Sequence, residues 1–141
     1  MTKEELIKGL NEDLAHEYQA VIAYTTYAAR VKGPHRPALR EFFLKEAKEE
    51  LAHAQFLADK IVALGGVPTV EPAPVPPAAG PREMLTAVLE AEDQTIRRYA
   101  ERMRQAEELG DLGLAARLHA MIEDETEHKE EVEKLLEGFP G

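Results

Sequence analysis

Two stretches of the chain carry a glutamate and a histidine three residues apart: Glu50-Leu51-Ala52-His53 and Glu125-Thr126-Glu127-His128. On a helix, positions i and i+3 share one face, so each pair can close on one metal ion. Glu17 and Glu92 interrupt two further apolar stripes at matching depth. Four ionised carboxylates facing one core are very costly without counter-charge, and cations would supply it. Four carboxylates carry −4 and two divalent ions +4, so the loaded cluster would be neutral. Carboxylate oxygen and imidazole nitrogen, without sulfur, suit iron or manganese better than copper or structural zinc. The sequence has no cysteine, which excludes thiolate metal sites, disulfides and cysteine nucleophiles. Glu17, Glu50, His53, Glu92, Glu125 and His128 are therefore expected to form a dinuclear metal site.

Four helices must position these groups. Helical segments are expected at about 2–32, 36–64, 81–109 and 111–137, with no strand signal anywhere. Thr2 with Glu5 reads as a capping box, and Asp111 as an N-cap. Lys32-Gly33-Pro34, Leu64-Gly65-Gly66 and Leu109-Gly110 read as stops. The inward stripes are Leu6, Leu10, Leu14, Glu17, Val21, Tyr24 and Ala28, then Leu39, Phe43, Glu46, Glu50, His53, Leu57, Ile61 and Leu64. The third helix gives Leu85, Leu89, Glu92, Ile96, Tyr99 and Met103, and the fourth Leu118, Met121, Glu125, His128, Val132 and Leu135. Each has the period of an amphipathic helix.

The connections set the topology. Short joins make the first pair and the second pair antiparallel hairpins. Residues 65–80 join the pairs and hold five of the nine prolines. In extended form they reach roughly 45–50 Å, against about 42 Å for the second helix. The linker can thus run the length of the bundle and start the third helix parallel to the second. The expected architecture is all-α: one domain over 1–141, a four-helix bundle of two hairpins joined by a long crossover.

Composition narrows the partners. With 27 acidic and 17 basic residues the formal charge is −10, which repels phosphate backbones and anionic lipid. There is no tryptophan, and Phe and Tyr number four each, which argues against base-stacking platforms. No apolar run approaches the ~18 residues of a membrane span, and no secretory signal is visible. Neither nucleic acid nor membrane is expected as a partner, and the expected location is cytoplasmic. A metal-free bundle with structural Glu and His remains an alternative. On that reading His53, His128, Tyr24 and Tyr99 are ordinary core residues, while Glu41, Glu49, Glu127, Glu130, Glu131 and Glu133 form solvated faces. His16, His35 and His119 lie off the stripes.

On Glu17, Glu50-Leu51-Ala52-His53, Glu92 and Glu125-Thr126-Glu127-His128, the chain resembles the ferritin-like superfamily, and bacterioferritin most closely. The resemblance implies a ferritin-like fold with two iron ions per chain, manganese being possible in their place. It implies that Glu50 and Glu125 bridge the metals, with Glu17 and His53 completing one ion and Glu92 and His128 the other. It also implies a catalytic tyrosine beside the site at Tyr24, and an inner-face carboxylate at Glu46. The implied activity is a ferroxidase: two Fe(II) are oxidised by O2 or peroxide, in iron storage or detoxification. A rubrerythrin-like peroxidase or another di-metal oxidase is the alternative.

Three departures refine this. Leu51 stands where bacterioferritin has a haem-ligating methionine, so no haem is expected. The expected helices include no counterpart of the short fifth helix of the large storage cage, so a closed 24-subunit cage is not expected. Thr95 stands where rubrerythrin-like members add a carboxylate. A homo-oligomer is expected, as a dimer, because ferritin-like subunits pair side by side. Phe42, Phe56 and Tyr27 also flank the inward stripes and could form a partner surface, unless the crossover covers them through Val67, Val70 and Val75.

Overall fold

The structure, a computed structural model, describes residues 1–139. Its elements are α1 (Lys3–Arg30), α2 (Arg36–Ala63), α3 (Pro81–Glu108) and α4 (Leu112–Leu136). α1 begins with the capping box: Glu5 N donates to Thr2 Oγ1 at 3.1 Å, and Thr2 N donates to the Glu5 carboxylate at 2.8 Å. Asp111 caps α4 by accepting from Leu114 N at 3.1 Å, and it also pairs with Lys60. Gly33 and Gly110 reverse the chain within the hairpins at φ 98° and 80°, a left-handed conformation that glycine adopts without steric cost. Arg36 closes the carbonyl end of α1, its Nη1 donating to Ala29 O at 3.0 Å and Val31 O at 2.5 Å.

α1 packs on α2, α3 packs on α4, and α1 faces α3. The crossover is an extended strap laid along α1 in the same direction. Asn11 holds Val67 O and Thr69 N, at 3.1 and 2.8 Å. One turn on, Ala73 N donates to Ala15 O at 2.9 Å. Gln19 then reaches Pro74 O, and Tyr27 Oη donates to Pro76 O at 2.8 Å. α3 consequently starts where α2 started, and the two run parallel.

The apolar interior is divided in two. One cluster gathers Leu6, Leu10, Leu14, Leu57, Ile61, Leu114 and Leu118. The other gathers Tyr24, Tyr27, Val31, Leu39, Phe43, Met84, Leu85 and Val132. Buried acids from every helix lie between them, joined by one histidine each from α2 and α4. Among the described residues no helix is long and apolar enough to cross a membrane.

Two expectations change. Tyr27 is core, 1% exposed, held by the strap through Pro76, while Phe42 and Phe56 are half-buried. Val67 and Val70 do no covering, being 83% and 89% exposed, whereas Val75 is half-buried and packs on the cluster that holds Tyr27 and Phe42. The buried line of α3 is also rotated from the expected stripe. It runs Met84, Leu85, Val88, Glu92, Thr95, Tyr99, Arg102 and Ala106, leaving Leu89, Ile96 and Met103 half-buried. The reason is chemical: Arg102 turns inward because α1 presents a buried partner, Asp13.

Candidate metal centre

The layer between the two clusters contains all six residues singled out by type and spacing. Glu17, Glu50, His53, Glu92, Glu125 and His128 are each at most 7% exposed. Glu17, Glu50, His53 and Glu125 form one group whose ligand atoms lie within 4.8 Å of one another, and Glu46, Glu92 and His128 form a second. Glu46 therefore belongs to the layer itself, its Oε2 2.8 Å from His128 Nδ1. Two carboxylates face both groups. Glu50 places Oε2 3.7 Å from His53 Nδ1 and Oε1 3.6 Å from His128 Nδ1. Glu125 places Oε1 3.3 Å from His53 Nδ1 and Oε2 3.8 Å from His128 Nδ1.

The outer nitrogens of the histidines are engaged by reciprocal acids. His53 Nε2, from α2, meets Asp124 of α4 at 3.2 Å. His128 Nε2, from α4, meets Glu49 of α2. An acid on Nε2 favours the proton there and leaves Nδ1 to face the interior, the arrangement that orients metal-binding imidazoles. The sequence carries a signal for this: an acid immediately precedes the glutamate of each Glu-x-x-His pair. Glu49 is thus a histidine partner rather than part of a solvated face.

Tyr99 is also more than a core aromatic, since its hydroxyl donates to Glu17. Tyr24 is buried beside the acids, with its ring 6.1 Å from that of Phe43. One turn before Glu17 on α1, Asp13 accepts from Arg102 Nε at 2.8 Å and Nη2 at 3.1 Å. Gly9 makes this possible, because a Cβ there would lie 2.1 Å from the Arg102 guanidinium.

The ferritin-like domain family matches residues 7–141. The chain belongs to the ferritin-like family. A ferritin-like diiron-carboxylate protein from Bacillus anthracis str. Ames is 47% identical, with TM-score 0.94, over 96% of this chain and 99% of that one. A dodecameric thioferritin from Bacteroides fragilis, related to bacterioferritin, is 26% identical, with TM-score 0.89, over 98% and 88%. The bacterioferritin of Rhodobacter capsulatus, at 24% identity and TM-score 0.87 over 96% and 86%, shares the fold. No protein of curated function matches the sequence.

The electrostatics of this ferritin-like interior are unbalanced. Among the described residues, the buried side-chain atoms without a hydrogen bond are all in the layer except Arg98 Nε; they include Glu17 Oε2, Glu50 Oε1, both oxygens of Glu92, and Nδ1 of both histidines. Burial, reinforced by the Glu50 charge, pushes the Glu17 carboxyl well up. Burial and Glu125 do the same to Glu50, and push Glu92 to about 9. Burial opposes the charge on His53, yet Glu125 and Glu17 overcome it and raise that imidazole to about 9. Burial likewise opposes the Glu125 carboxylate, but the imidazoles of His128 and His53 beside it keep it below its usual range. Without metal, then, burial and mutual repulsion favour the protonated form of these carboxyls, and Glu92 keeps its proton at neutral pH. On the α2–α4 side the layer opens into a hollow of about 420 Å³, walled by Glu46, Glu49, Glu127, His128, Glu130 and Glu131 among others.

Proposed function

We propose that the chain is a ferroxidase-type di-iron oxidoreductase, taking two Fe(II) per chain and oxidising them with O2 or peroxide in iron storage or detoxification. The observation that carries this reading is the two-way geometry of Glu50 and Glu125, each with one oxygen toward each histidine. That arrangement suits carboxylates that bridge two ions. The orphaned oxygens and inward Nδ1 atoms fit a pair of divalent cations, and the oxygen–nitrogen donor set suits iron, with manganese as the substitute.

On this reading Glu17 and His53 complete one ion, and Glu92 and His128 the other, with Glu46 beside the second. Asp124 and Glu49 hold the imidazoles in the binding tautomer. Tyr99 fixes Glu17 through its hydroxyl, and Tyr24, buried beside the acids, is the proposed catalytic tyrosine. Each Fe(II) gives up one electron, so a pair supplies the two that convert O2 and two protons to hydrogen peroxide. The acidic hollow draws cations toward His128. Thr95 is buried and bonded to Arg98 at 2.9 Å, so it adds no carboxylate, which favours a ferroxidase over the rubrerythrin-like alternative.

Anaerobic titration with Co(II) tests the site, and saturation at two ions per chain is expected; saturation at one sinks the dinuclear reading. Anomalous scattering from a loaded crystal should place the ions about 3.5–4 Å apart. Turnover of Fe(II), compared with peroxide plus an organic reductant, separates ferroxidase from peroxidase. Leu51, 56% exposed, offers haem no ligand atom, and with Ile22 and Leu44 it gives the outside of the α1–α2 hairpin apolar character. We place a homodimer contact there, in a cytoplasmic protein; light scattering should give a mass near twice 15.7 kDa.

A further inference from the structure

The layer has a second approach, unlike the acidic hollow. Between α1 and α3 lies a cavity of ≈ 30 Å³. Its walls are mostly apolar, with Ala20, Ala23, Val88 and Ala91 beside the polar tips of Tyr24 and Thr95, and its inner end reaches Glu50, Glu92 and Glu125. Outside it is a hollow of about 270 Å³, and the two share Gln19, Pro76, Ala87 and Ala91 as common walls. The strap forms the rim, where Gln19 holds Pro74 O and Tyr27 holds Pro76 O. The passage exists because alanines occupy its wall positions, where the same two helices elsewhere bury Leu10, Leu14, Met84 and Leu85.

We propose that this is the inlet for dioxygen, and that it admits O2 in preference to peroxide, cations or organic molecules. The inference rests on the ferroxidase reading above and names how its oxidant arrives. Size comes first: such a volume holds one or two molecules as small as water, and no organic reductant. Polarity comes second. Small apolar cavities stay dry and bind apolar gases such as xenon. Peroxide would lose its hydrogen bonds to water on entering, and a hydrated Fe(II) would lose far more, whereas O2 loses almost nothing. Metal and oxidant would then approach from opposite sides, the metal between α2 and α4 and the gas between α1 and α3.

The test combines a static and a kinetic measurement on the full chain. Metal-free crystals pressurised with xenon should show the atom between Ala20, Ala23 and Val88, and should lose it in Ala20→Leu and Ala87→Leu. Both variants should take up as many Co(II) ions as the parent. Their Fe(II) oxidation by O2 should slow roughly tenfold, a barrier change of about 1.4 kcal/mol. Oxidation by peroxide should slow less, and Ala100→Leu, on the exposed face of α3, should leave the O2 rate unchanged. If Ala20→Leu disturbs Co(II) uptake, Ala87→Leu, which also lines the outer hollow, decides. An empty cavity in the parent crystal overturns the inlet, as do unchanged O2 rates with Co(II) uptake intact, or an equal fall in the peroxide rate. Xenon in the cavity of a parent chain that does not oxidise Fe(II) upholds the gas passage and defeats the ferroxidase reading instead.

Discussion

Two buried charged regions lie one helical turn apart and are built on opposite principles. Around Asp13 the chain supplies its own counter-charge: Arg102 grips both carboxylate oxygens and Arg98 stands 3.8 Å away. In the layer of Glu17, Glu50, Glu92 and Glu125 the chain supplies two histidines for a larger set of carboxylates, and many buried atoms find no hydrogen bond. The desolvation cost is comparable, since both regions are nearly inaccessible to water. The contrast teaches that burial alone does not mark a binding site. What marks one is buried charge whose partner the chain withholds.

The comparison can be broken most violently at Arg102. Arg102→Met strands Asp13 and should cost about 3–5 kcal/mol, measured by urea unfolding of the metal-free chain. Burial already raises the Asp13 carboxyl against the pull of Arg102, so the variant should unfold less readily in acid than at neutral pH. Adding Asp13→Leu should recover most of the loss; a double variant as weak as the single would show that Asp13 is not the reason.

In the acid layer the same logic gives the reverse sign. Glu50→Ala should leave the metal-free chain as stable as the parent or more so, because repulsion is relieved, whereas Glu125→Ala also removes the counter-charge of both imidazoles and should be the less stable of the two. The parent should gain about 2.7 kcal/mol from Co(II) at a hundred times its dissociation constant, and these variants should lose much of that gain. Both should slow Fe(II) oxidation more than Glu17→Ala does, since a terminal ligand is replaceable by water. Equal losses in all three would refute the bridging assignment. Metal uptake should also release protons into an unbuffered solution, because the raised carboxyls must give theirs up.

A gentler probe is pH. Glu92 goes from 4.5 unfolded to about 9 folded, and His53 from 6.5 to about 9. Each folded-state value is raised, so each contributes stability that is complete below the unfolded value and disappears as pH climbs through the folded one. The Tm of the metal-free chain should therefore fall between about pH 5 and about pH 9, and bound Co(II) should flatten the slope. A flat profile without metal would mean the layer is already compensated. The smallest effect serves as a control: Thr2→Ala removes the α1 cap and should cost about 1 kcal/mol with or without metal.

The four helices and the crossover were legible because glycine, proline and the 3.6-residue stripes agree with one another. The gathering of Glu17, Glu50, His53, Glu92, Glu125 and His128 was legible because acids and imidazoles interrupt those stripes at one depth. Arg102 and Asp13 were not, since a charged residue on an amphipathic helix ordinarily faces water, and only the pairing across α1 and α3 reverses that. The clue was Gly9, a weak helix former in mid-helix that clears room for the guanidinium. The periodicity of α3 shows the Tyr99 ring facing inward but says nothing of its hydroxyl, whose acceptor on Glu17 is 82 residues away in sequence. Glu49 and Asp124 carry a sequence mark, each standing just before the glutamate of a Glu-x-x-His pair, but only the contact across α2 and α4 turns that position into a role.

The strap along α1 also ties the dimensions of the molecule together. It rises about 3.1 Å per residue where a helix rises about 1.5 Å, so one strap residue serves two helical ones. Its anchors at Asn11, Ala15, Gln19 and Tyr27 act as graduations on a ruler. Lengthening every helix by a heptad would need only three or four more strap residues, by roughly 10 Å at that rise. Lengthening the helices without the strap would pull Pro74 and Pro76 off their graduations. Chains built on this plan can thus vary in height only when the connection and the bundle change in step, and the strap, the least regular segment of the fold, sets the gauge for the most regular ones.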